Sequence, residues 1–198
     1  MKPEKVVTFK DQGDIPKSLI QFLHEKGKDY GVREVRLFLT NKIVVSEWVN
    51  LKCRYGCNQY GTSWCCPPAT PSLKKVRKIL EEYSSALLLV GNQNCPEFYL
   101  NNTTKRAKQV RYWKGAVSLE RALFLKGYYK AFSLVGVTCG LCKKCAYPEN
   151  CLFPKEKRPT VESFSIDMIG TLKNIGIIPK VATHSIDSFD SYAIILLQ

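Results

Sequence analysis

Segments whose apolar residues recur at helical spacing alternate along this chain with short apolar runs, and that pattern alone predicts most of its elements. In PKSLIQFLHEKGKDYG, from Pro16, the residues Leu19, Ile20, Phe22 and Leu23 share such spacing before Gly27 and Gly31 interrupt it, which predicts a short amphipathic helix. EVRLFL and IVVSEW, split by Thr40, Asn41 and Lys42, read as a β-hairpin that runs into Cys53. A helix from about Ser72 to Tyr83 precedes ALLLV at 86–90, a buried strand. The longest periodic stretch, about Thr104 to Lys126, sets Ala107, Val110, Trp113, Val117 and Phe124 near one face, with Gly127 as its stop. AFSLVGV reads as a strand leading to Cys139. Thr160 reads as the N-cap of a helix that carries Glu162 in its first turn and ends near Gly176, and YAIILL closes the chain as a strand.

Strands alternating with helices predict an α/β fold. The expectation is a single domain, residues 1–198, with a mixed β-sheet of about five strands, flanking helices and two cysteine-rich metal-binding loops, about 53–71 and 136–159. Each loop follows a predicted strand, so a rigid sheet would position it. The length suffices to bury a core without disulfides.

Composition changes this picture through cysteine. No stretch approaches the roughly 18 apolar residues that span a bilayer, and the start, MKPEKVVTFKDQGD, lacks the apolar core of a signal peptide. A cytosolic protein with no membrane association is expected. In a reducing compartment nine cysteines are more naturally ligands or nucleophiles than disulfides, and the odd count opposes a complete disulfide framework. Cys53, Cys57, Cys65 and Cys66 form one group, Cys139, Cys142, Cys145 and Cys151 another, and Cys95 stands alone.

Cys139, Cys142 and Cys145 are each separated by two residues, and Cys151 follows after five. Three thiolates at this spacing can wrap one corner of a compact cluster, as in ferredoxin-type [4Fe-4S] sites, where the fourth cysteine follows after three residues and precedes Pro. Here Leu152 follows Cys151, and the cluster that Cys151 serves stays open. Zinc is the minority alternative, since zinc ribbons pair distant C-x-x-C knuckles. In LKCRYGCNQYGTSWCCPPATP the adjacent Cys65 and Cys66 seldom point the same way, so one of them would join Cys53 and Cys57. A fourth ligand would then come from Cys65, Cys95, a protein oxygen or an external molecule, unless these are buried thiols holding no metal.

Taken together, KCRYGCNQYGTSWCCPP and CGLCKKCAYPENCLFPKEKRPTVESFSIDM resemble a prokaryotic family numbered 2284 among domains of unknown function, described as predicted metal-binding proteins. Cys53, Cys57, Tyr60-Gly61 and Cys66-Pro67-Pro68 fit its first half; Cys139, Cys142, Cys145, Cys151, Pro154, Arg158-Pro159, Glu162 and Ile166-Asp167 fit its second. The resemblance runs from about residue 30 to the C-terminus. It implies a metal protein, iron-sulfur in type and suited to anaerobic chemistry, with Cys66 rather than Cys65 as ligand. It implies no reaction.

Charge adds a candidate surface. The formal net charge is +13, and +7 of it lies in residues 101–130, where Glu120 is the one acid. Lys105, Arg106, Lys108, Arg111 and Lys114 would dock an acidic redox partner and offset a cluster whose four-thiolate form carries about −2. Two other readings are a solvated helix face and a nucleic-acid surface on which Tyr112, Trp113, Tyr128 and Tyr129 stack. His24 and His184 read as structural, and Glu162 and Asp167 as helix-start positions. The functional expectation is electron transfer through one or two [4Fe-4S] clusters. The alternatives are an enzyme with an open iron site and a zinc module that binds nucleic acid.

Overall fold

The computed structural model describes residues 14–94, 103–179, 182–184 and 188–198, so the candidate ligand Cys95 lies outside the described residues. Five α-helices are described: α1 Lys17–Lys28, α2 Glu47–Gly56, α3 Leu73–Leu80, α4 Thr103–Phe124 and α5 Met168–Asn174. The strands are β1 Val32–Leu39, β2 Ser85–Asn94, β3 Phe132–Leu134 and β4 Ser188–Leu196. They form one sheet in the order β1-β2-β4-β3, and every ladder is antiparallel. The expected mixed sheet of about five strands is therefore a four-stranded antiparallel one among the described residues.

The predicted hairpin is where the strand count goes astray. The place beside β1 is taken by β2, with Leu37 opposite Leu87 and Val35 opposite Leu89. After a 3-10 turn at Thr40–Lys42, the apolar run at 43–45 is extended but pairs elsewhere: Val45 bridges Ile166, and the amides of Ser46 and Asp167 donate to Ser165 and Val44 carbonyls at 2.9 and 2.8 Å. The chain then turns into α2 at Glu47, an acid suitably placed for the positive end of the helix dipole. Cys53 is thus on a helix rather than in a loop, and Cys57 is that helix's C-cap.

The sheet is covered on both faces. On one, Leu87 and Leu89 of β2 with Ala193 and Ile195 of β4 pack with Leu23 of α1 and with Trp113 and Leu119 of α4. On the other, Leu88, Val90, Ile194 and Leu196 pack with Val76 of α3, with Leu172 of α5 and with Phe164, which precedes α5. Two-sided burial explains why the central strands read as unbroken apolar runs. Each such side chain contributes about 1.5–3 kcal/mol. No helix among the described residues is long and apolar enough to cross a membrane.

One end of this sheet carries the cysteine segments. Leu134, the last residue of β3, lies opposite Ile194, and Val135 continues to a bridge with Thr160. Gly136 then passes against β4 so closely that a Cβ would lie 1.4 Å from the Tyr192 carbonyl oxygen, so only glycine fits there. That close passage fixes where the segment carrying Cys139 begins.

Candidate metal centre

Two cavities lie back to back, and Thr138 lines both. The first, about 660 Å³, holds Cys53, Cys57 and Cys66 together with Glu162, Asp167 and Asp190, against apolar walls that include Trp48, Ile166, Met168 and Phe189. The second, about 750 Å³, holds Cys65, Cys139, Cys142, Cys145 and Cys151. Arg106, Lys143 and Lys144 line it as well, and among the described residues no Asp or Glu does. Adjacent Cys65 and Cys66 therefore serve different cavities, and Cys151 shares its cavity with Cys142.

In the first trio Cys53 and Cys57 come from α2 and its C-cap and Cys66 from the irregular segment that follows, while the 3-10 turn Glu162–Phe164 brings Glu162 to the same cavity. A three-residue gap on a helix puts Cys53 and Cys57 on one side. The turn is tied to α2 by the Ser165 hydroxyl, which donates to Asn50 Oδ1 at 3.1 Å, and Thr160 Oγ1 accepts the Ser163 amide at 3.1 Å. Glu162 opens this turn, while Asp167 caps α5, its Oδ1 accepting from the Gly170 amide at 2.9 Å. Burial first, and then the charges of Cys57 and Glu162, push the Cys53 thiol above the ordinary thiol range. Cys66 is pushed up to about 12, by burial first and then by Cys57 and Cys53, with the Ser63 hydroxyl opposing. The Glu162 carboxyl is raised by desolvation. Its accessible surface faces the cavity, so protein surrounds it even though it is not covered.

The second group sits on an irregular segment cradled by α4. Arg106 Nε donates to the Gly140 carbonyl at 2.9 Å and its Nη2 to that of Leu141 at 3.0 Å. Trp64 joins the two cysteine segments: its Nε1–H donates to the Glu149 carbonyl at 2.7 Å, its ring meets Tyr147 edge-on at 5.1 Å, and the Lys157 ammonium lies 4.7 Å above it. Burial, then the charges of Cys139, Cys145 and Cys151, raise the Cys142 thiol, with Arg106 opposing. The Cys151 sulfur accepts the Phe153 amide at 3.4 Å. Cys65 and Cys139 line the same cavity, and interaction with Cys139 followed by burial pushes the Cys65 thiol above the ordinary thiol range.

The residues that match the metal-binding pattern span almost the whole of this architecture. A family model described as "Predicted metal-binding protein", domain of unknown function 2284, matches residues 36–197. The chain belongs to that family. No curated protein and no solved structure gives a significant match to it.

The donor chemistry of the cavities fits the predicted metal binding of this family. Thiolates are the soft ligands that select zinc, copper(I) and iron-sulfur groups, and neither cavity is lined by His. All eight described cysteines are free thiols. Among the described residues no three Cys, His, Asp or Glu side chains form a group that could hold a metal ion.

The expected docking residues divide in two. Arg106 holds the Cys139 segment, and Arg111 Nε donates to the Asp29 carbonyl at 2.6 Å, tying α4 to the end of α1. Lys108 and Lys114 are exposed on α4, where Lys105 also lies, its side chain outside the described set. Of the aromatics considered for stacking, Tyr112, Trp113 and Tyr128 are buried and Tyr129 is exposed. Sequence reasoning passed over Lys143 and Lys144 as cavity residues and read Glu162 only as a helix-start residue. The signal for the lysines was their position between ligand-spaced cysteines.

Proposed function

We propose that the protein is an iron-sulfur electron carrier in which Cys139, Cys142, Cys145 and Cys151 hold a [4Fe-4S] cluster and Cys53, Cys57 and Cys66 hold a second metal centre. The observation that carries this reading is the second cavity: among the described residues, five thiols and three cations, with no carboxylate, around about 750 Å³. A zinc site draws four sulfurs to about 2.3 Å from a single point. An anionic cluster is also offset by Arg106, Lys143 and Lys144, and such charges tune its potential. Common lining by Thr138 supports exchange of electrons between the centres. The exposed Lys108 and Lys114 suit an acidic redox partner.

A second reading is favoured by the first cavity alone. Its ligand-scale volume, apolar walls and Glu162 suit a small organic substrate held beside a three-thiol centre.

The test is anaerobic purification with iron, sulfide and zinc analysis and an absorption spectrum. About four irons per chain with matching sulfide would indicate one cluster and about eight would indicate two. Stoichiometric zinc without sulfide would refute the reading. The Cys142→Ala variant should lose about four irons, and unchanged iron content in it would refute the ligand assignment.

A further inference from the structure

The stretch that delivers Cys151 is held differently from the stretches on either side of it. Before it, Arg106 fixes the Gly140 and Leu141 carbonyls, between Cys139 and Cys142. After it, the Lys155 carbonyl accepts Arg121 Nη2 at 3.2 Å, the Glu156 carbonyl accepts Trp113 Nε1 at 2.7 Å, and Arg158 pairs with Glu120. Among the described residues, the one hydrogen bond from residues 146–152 to a distant part of the chain is that of the Glu149 carbonyl with Trp64 Nε1, at 2.7 Å. The Trp64 ring also meets Tyr147 edge-on and lies under the Lys157 ammonium, so it touches the chain on both sides of Cys151.

Trp64 has a firm base from which to do this. Its neighbours Ser63, Cys65 and Cys66 are buried, the Cys65 amide donates to Ser63 Oγ at 3.2 Å, and the Cys65 carbonyl accepts the Thr160 amide at 3.2 Å. Trp64, Tyr147 and Cys151 all line the second cavity. Five residues separate Cys145 from Cys151, and ordering them costs conformational entropy that a contact made before metal arrives has already met. Residues that orient a ligand matter nearly as much as the ligand, and losing one usually lowers metal affinity about 10–100-fold.

We infer that Trp64 is a positioning residue for the second centre: by holding Glu149 and Tyr147 it sets Cys151 in the cavity beside Cys139, Cys142 and Cys145. The inference rests on the cluster reading above. It gives the Cys65-Cys66 segment a role in both cavities, since Cys66 lines the first while Trp64, two residues earlier, orients a ligand of the second.

The test is the rate at which the anaerobically isolated protein loses iron to a chelator. Trp64→Ala should release about four irons per chain roughly 10-fold faster or more. Trp64→Phe, which keeps a ring against Tyr147 and Lys157 but cannot donate to Glu149, should release them at an intermediate rate. Cys151→Ala should match Trp64→Ala, and combining the two should add nothing, because residues that act through one another are not additive. Effects that multiply in the double variant would overturn the inference, since Trp64 would then act independently of Cys151. An unchanged rate in Trp64→Ala or in Cys151→Ala would overturn it as well, while leaving the presence of a cluster intact. If Trp64→Ala does not fold by circular dichroism, the same cycle with Trp64→Phe decides. Absence of iron and sulfide from the unmodified protein would overturn both this inference and the cluster reading.

Discussion

At the scale of single residues, the largest electrostatic commitment lies outside the thiol cavities. Glu120 is 8% exposed, and its Oε2 accepts both Arg158 Nε and the Ser133 amide at 2.8 Å. Arg158 also lies with its guanidinium 5.6 Å from the Phe132 ring centroid. This pair fastens the end of the second cysteine segment to α4 and β3. Removing one partner of a buried pair leaves the other charge uncompensated, which costs about 3–5 kcal/mol. Arg158→Ala should therefore lower unfolding stability by about 3 kcal/mol in denaturant titration. A loss under about 1 kcal/mol would mean that the pair behaves like an exposed one. Part of this was legible in the sequence: Glu120 recurs at helical spacing with Trp113 and Val117, on the apolar face, and it is the one acid in a basic segment. Its partner was not legible, because Arg158 lies 38 residues further on and only the folded segment brings it back.

At the scale of elements, periodicity served where burial is one-sided or complete and failed where an extended run found an unexpected partner. Helices α1 and α4 and strands β2 and β4 lie close to where their apolar patterns put them. The run at 43–45 has strand composition, but its hydrogen bonds go to the segment around Ser165 and Ile166, a pairing more than a hundred residues distant. Reading it as half of a hairpin carried a strand into Glu47 and Trp48 and left Cys53 in a loop, where the chain forms α2. Cys53 and Cys57 then lost the helical spacing that brings their sulfurs to one side. The segment from β3 to Cys139 makes the sharpest element-level prediction. A methyl group at residue 136 meets backbone, which cannot rotate aside. Gly136→Ala should cost about 3 kcal/mol, at the upper end of the usual overpacking range. It should also lower iron retention in the second cavity, seen as less iron per chain in a protein that still folds by circular dichroism. Full stability and full iron would show that the segment can shift without disturbing its cysteines.

At the scale of the whole molecule, the two cavities adjoin each other and α4 borders one of them. Clusters bound in both cavities, which share Thr138 as a wall, should interact magnetically. The fully reduced protein should give a spin-coupled resonance spectrum that simplifies in Cys142→Ala, and two independent spectra would contradict that proximity. The same arrangement sets the docking prediction, because α4 carries exposed Lys108 and Lys114 as well as Arg106, which lines the second cavity. Arg106 and Arg111 bond to backbone carbonyls, so their substitution would disturb the fold as well as the surface. Lys108 and Lys114, both exposed on α4, carry the test. Complementary charge steers encounter, and its reach shrinks to a Debye length of about 10 Å at 0.1 M salt. Stopped-flow reduction of a small acidic electron carrier should therefore slow as salt rises. The Lys108→Glu, Lys114→Glu double variant should slow it roughly tenfold or more at low ionic strength, with iron content unchanged. The difference between the two proteins should shrink in high salt, since screening removes what the lysines contribute. A rate indifferent to both salt and charge reversal would move the docking surface away from α4, leaving the basic stretch as a solvated helix face.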